Sequence, residues 1–125
     1  MNHDEFVGHV QHRAHLSSRG AAETIIRVTF ETLRERLQPE MAAHVAAQLP
    51  PEIGLHLRGG HFEHLDLAGF YRRVARREDV DIDRAAFHAR CVMETLFEAI
   101  TPGAARKLET QMPLEFRELI AAGVE

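Results

Sequence analysis

The sequence predicts an all-α fold: a single compact helical bundle of two pseudo-symmetric four-helix repeats. Three observations lead there. Apolar residues recur at spacings of three and four, and no strand-like alternation competes with them. Ser, Asp and Thr residues, prolines and a glycine pair stand where helices start and stop. Finally, the stretch from Glu31-Thr32-Leu33 to Pro39 and on through Gln48-Leu49-Pro50-Pro51-Glu52 returns 63 residues later. There it reads Glu94-Thr95-Leu96 to Pro102 and on through Gln111-Met112-Pro113-Leu114-Glu115.

Each element follows from local chemistry. His3 to His15 forms the first helix, with Phe6, Val7, Val10 and Ala14 on one stripe. Ser17, Ser18 and Gly20 break it, and a serine caps the second helix, expected over about residues 21–37. Its inward residues are Ala22, Ile26, Thr29, Phe30, Leu33 and Leu37. Pro39 stops that helix and opens a third, because proline tolerates a first turn but cannot extend the turn before it. Met41, Ala42, Val45 and Leu49 point inward there, and Pro50-Pro51 opens a short fourth helix with Ile53 and Leu57 inward. Gly59-Gly60 ends it.

Residues 61–65 are the expected linker, and Asp66 the N-cap of a fifth helix with Leu67, Phe70, Tyr71 and Val74 inward. Asp81 and Asp83 start a sixth helix reaching about Ile100, with Ala89, Met93, Leu96 and Ile100 on its core face. Thr101-Pro102 starts a seventh with Ala105, Leu108 and Met112 inward. Pro113-Leu114-Glu115 starts an eighth with Phe116, Leu119 and Ile120 inward. Residues 1–125 are thus expected to be one domain, with repeat 1 over about 1–60 and repeat 2 over about 66–125.

Phe6 and Val10 match Phe70 and Val74 at an offset of 64, whereas everything from Ala22 onward matches at 63. The difference falls in the serine/glycine turn, where one inserted residue adds little loop-closure cost. Because caps, prolines and core positions all recur, duplication of one helical unit is the expected origin.

Phe6-x-x-x-Val10, Glu31-Thr32-Leu33 and Gln48-Leu49-Pro50-x-Glu52, together with their second occurrences, resemble the bacterial domain-of-unknown-function family 2267. The resemblance covers essentially the whole chain. It implies a small duplicated all-helical domain, and it supplies no functional residues.

The composition, 45% hydrophobic and 27% charged, is that of a globular domain, and no apolar run is long enough to span a bilayer. An acidic N-terminus without a basic region and apolar core gives no secretory signal, and the single cysteine forbids an internal disulfide. A cytoplasmic location is the expectation, and fourteen arginines against one lysine fit a GC-rich bacterial genome. The formal charge of -4 argues against a phosphate-backbone partner. Protonating all nine histidines would reverse it to +5. Nucleic acid, membrane and cofactor are therefore not expected as partners.

Four constellations carry the functional reading. Phe87 and Cys91, one turn apart on the sixth helix, form a second apolar stripe that suits either a central helix or a partner surface. Arg72, Arg73, Arg76 and Arg77 form a band that can dock an anion or an acidic partner, or simply a solvated face. Glu5, His9 and His12 share one face of the first helix at metal-chelating spacing, and His61 and His64 sit in the linker where they could join them. Against that, His44 matches Lys107 and His56 matches Leu119, so those histidines do not recur between repeats. Lastly, Arg27 and Glu31 match Arg90 and Glu94. This suggests either same-helix pairs or a cross-pairing of Arg27 with Glu94 and Arg90 with Glu31.

No phosphate loop, nucleophile elbow or zinc signature is present, so no catalytic residue is named. The expected role is non-catalytic: an interaction or regulatory module with a second copy or another protein as partner. The alternative is a metal- or small-ligand-binding domain that uses the histidines.

Overall fold

A computed structural model describes residues 1–124, and they are helical with no strand among them. Eight α-helices run in order: α1 (His3–Arg13), α2 (Arg19–Leu33), α3 (Pro39–Ala46), α4 (Pro51–Gly54), α5 (Leu67–Glu78), α6 (Ile82–Ala99), α7 (Pro102–Gln111) and α8 (Arg117–Val124). Short 3₁₀ turns, Leu55–Leu57 and Leu114–Phe116, follow α4 and precede α8.

The starts match their sequence signals. Asn2, Ser18, Asp66, Asp81 and Thr101 each accept a hydrogen bond from the first turn of the helix they precede, and Asn2 with Glu5 completes a capping box. Pro39, Pro51 and Pro102 occupy first turns, as expected.

Two ends differ from expectation. The second helix stops at Leu33, and the chain tightens through Thr32–Glu35 and Leu33–Arg36 backbone bonds before Pro39. The eighth begins with a 3₁₀ turn, which suits the missing N–H of Pro113.

One contiguous core draws on every helix through α8. Every inward residue named from the sequence is buried except Leu67 and Ala105, which are partly buried. Connectivity crosses between the chain's halves: α1 packs on α2 and α6, and α5 packs on α6 and α2. With α8 against it as well, α6 is covered by four helices. Aromatic contacts reinforce the centre, Phe6 meeting Phe30 and Phe70 meeting Phe116 edge-on.

The segment from Arg58 to Asp66 is held down rather than looped out. Glu63 N–H donates to Glu35 O at 2.6 Å, and the Arg36 guanidinium lies over both Phe62 and Phe116, 5.1 and 5.5 Å from their centroids.

Candidate functional site

The side chains that carry most of the polar chemistry lie where α1 meets α6 and where α5 meets α2. Arg77, in the last turn of α5, donates through Nη2 to both Glu35 oxygens at 2.7 and 2.8 Å, and through Nη1 to Thr32 Oγ1 at 3.0 Å. Arg13, in the last turn of α1, reaches Glu98 Oε1 at 2.6 Å and donates to Thr95 Oγ1 at 2.9 Å. Both threonine hydroxyls donate to the carbonyl one turn back, Val28 and Cys91, so each buried hydroxyl has its proton and a lone pair satisfied.

The two arrangements use positions 64 apart for the arginines and 63 apart for the threonines and glutamates. Arg73 adds a third contact at Glu35, 3.2 Å away, and reaches Glu63 at 2.9 Å. The residue 64 positions before Arg73 is His9.

The electrostatics follow. Burial pushes the Glu35 carboxyl up, but the hydrogen bonds and charges of Arg77 and Arg73 more than reverse it, leaving the group below the usual carboxylate range. The Arg13 hydrogen bond does the same for Glu98 against a smaller burial effect.

Several sequence expectations are corrected here. Cys91 belongs to the core and offers no partner surface: it is buried, and burial raises its thiol to about 11, where it stays protonated and inert. Phe87 remains at the rim, 37% exposed, with the His15 ring stacked on it at 6.2 Å. The arginine band splits. Arg73 and Arg77 reach Glu35, Arg77 while remaining exposed, and Arg72 and Arg76 are exposed away from it.

The cross-pairing of Arg27 with Glu94 is not formed. Arg27 pairs with Glu31 on its own helix at 3.1 Å, Arg90 approaches Glu118 at 3.6 Å, and Glu94 is approached by Arg13 at 3.7 Å.

Among the described residues, no group of three His, Cys, Asp or Glu side chains is placed to hold a metal ion. Glu5, His9 and His12 line an open face of α1. In the linker, His61 is exposed and the His64 ring packs edge-on against Phe62 at 4.9 Å.

Sequence reasoning missed two features. The crossed arginine pairs had a signal, since Arg13 and Arg77 share the offset of Phe6 and Phe70. The buried contact of His88 Nδ1 with Glu78 Oε1 had none, because the matched residues are the apolar Ile25 and Ala14. Its second oxygen, Glu78 Oε2, has no partner among the described residues. The pair is enclosed, so it ties α5 to α6 and offers no face to a substrate.

None of the described helices is long and apolar enough to cross a membrane. The model of the family described as "uncharacterized conserved protein (DUF2267)" matches residues 3–119. No curated protein matches the chain.

Proposed function

Because the chain belongs to the DUF2267 family of uncharacterized conserved proteins, we propose that it is a duplicated, non-catalytic interaction module of the bacterial cytoplasm. In this reading its partner is a second copy of the chain, and its halves, 1–60 and 66–125, are versions of one four-helix unit. The crossed pairs Arg13–Glu98 and Arg77–Glu35 support duplication, since each half lends its first helix to the other's long helix through matched residues.

A non-catalytic role is supported by what the perturbed groups are doing. Glu35 and Glu98 are held ionised by arginines, and the Cys91 thiol is raised to about 11, so each is committed to structure and none is poised for proton transfer.

The observation that carries self-association is the exposed apolar start of α6. Phe87 is 37% and Ile82 44% exposed on a helix that is otherwise covered by four neighbours. Large apolar side chains left at the surface of a helix this central suit a partner contact.

Light scattering on a concentration series of the wild type and Phe87→Asp tests it, with circular dichroism to check folding. The expected result is a mass that rises with concentration for the wild type and stays monomeric for the folded variant. Equal masses for the two proteins across the series would refute self-association through α6.

A further inference from the structure

Between the C-terminal end of α2, the first half of α3 and the glycine pair lies a cleft of about 190 Å³. Arg34, Arg58, Ala42, Ala43, Gly59 and Gly60 line it. Two guanidinium groups converge on it with no carboxylate partner among the described residues. Arg13, Arg19, Arg27, Arg73 and Arg77 all reach carboxylates, whereas Arg34 and Arg58 make no ion pair among the described residues. Arg34 spends one Nη1–H on the Arg58 carbonyl at 2.7 Å, and its Nε–H is buried without an acceptor. Glu40 is exposed in the first turn of α3 and pairs with neither guanidinium.

The backbone is shaped around this arrangement. A Cβ on Gly60 would fall 2.5 Å from Arg34 Cγ and 2.8 Å from Cδ, so a side chain there would force the arginine stem to shift from its path beneath the loop. Gly59, at φ +83°, turns the chain in a conformation that L side chains rarely adopt. α3 begins at Pro39 without a side-chain cap, which leaves first-turn N–H groups and their partial positive charge unanswered.

The repeat supplies an internal control. The residue 63 positions after Arg34 is Phe97, and it is buried. The cation at Arg34 is therefore a feature of the first half that the matched position does not share.

We propose that this cleft is a binding site for a small oxyanion of the phosphate class. Guanidinium groups present N–H donors in a planar fork that matches phosphate oxygens, and the alanines leave room for the anion to come close. The volume is below the roughly 300–1,000 Å³ of sites for drug-sized ligands, so the ligand is compact. It is either free phosphate or the phosphate end of a small ester.

The full chain is titrated with inorganic phosphate at constant ionic strength and followed by amide chemical shifts. The expected result is saturating shifts centred on Glu40, Gly59 and Gly60, with a dissociation constant of about 1 mM or tighter. Arg34→Gln and Arg58→Gln should each weaken binding about tenfold, by loss of a charge-assisted contact. If Arg34→Gln fails to fold, Arg58→Gln decides, because that side chain makes no hydrogen bond or ion pair among the described residues. A parallel titration with glycerol phosphate distinguishes the sources: tighter binding assigns an ester, equal binding assigns the free anion. Shifts that never saturate, equal shifts with chloride, or an Arg58→Gln variant that binds like the wild type would each overturn the proposal.

Discussion

Glu35 shows how much of this domain's chemistry is spent on holding itself together. Its side chain is 9% exposed, and a carboxylate so placed is tolerated only because Arg77 and Arg73 meet it. The pH consequence has a definite sign. The folded carboxyl is depressed relative to its unfolded value of about 4.3, so its stabilisation is complete above that pH and is lost as the pH falls through the lower folded value. Glu35→Gln keeps the size but removes the charge, and is expected to cost about 1–3 kcal/mol at neutral pH. Urea midpoints measured across the acid range should show the wild type losing stability below about pH 4.3 more steeply than the variant. Parallel acid limbs would mean that the carboxylate is not specially stabilised. Arg77 was readable from the sequence as a surface cation, but its destination was not. A helix surface drawn from periodicity says which way a side chain leaves the helix, and nothing about which neighbour arrives.

Helices are the most legible features, because each start has a local chemical cause. Asp66 accepts from the Gly69 N–H at 2.7 Å, so the cap expected there is formed by that side chain, and at the start of α7 Thr101 accepts from the Ala104 N–H at 3.2 Å. Replacing the cap with Asp66→Ala should lower stability by about 0.5–2 kcal/mol. Hydrogen exchange should speed up first in the opening turn of α5. An unchanged urea midpoint would show that the Asp66 side chain contributes nothing there. The ends were less readable. α2 stops four residues before Leu37 because the backbone tightens towards Pro39 while Leu37 stays buried, and burial pattern alone does not separate an α turn from a tighter one. Phe87 and Cys91 expose the same limit. One turn apart on α6, they share a stripe, yet one is buried and the other stays at the rim; in the first half Thr24 is likewise exposed and Val28 buried.

Taken together, the helices interlock. α1 packs on α6 as well as on α2 of its own half, α5 packs on α2 as well as on α6 of its own, and Arg13 and Arg77 fasten each crossing at its end. The repeat in the sequence implied a shared core, and the buried residues form one. What the repeat did not disclose was that each first helix bridges both long helices, because similar helical units can share a core with or without that bridging. The anion cleft was equally hidden: Arg34 and Gly60 are 26 positions apart, and only their close approach makes sense of the glycine.

An interlocked pair should not come apart one half at a time. The direct test is urea unfolding followed residue by residue on amide resonances of α2 and α6, in the wild type and in Glu98→Gln. Coincident midpoints for the two helices are predicted, with both moving down together when Glu98, which lies in the second half alone, loses its charge. Separate transitions, or a shift confined to α6, would contradict the account.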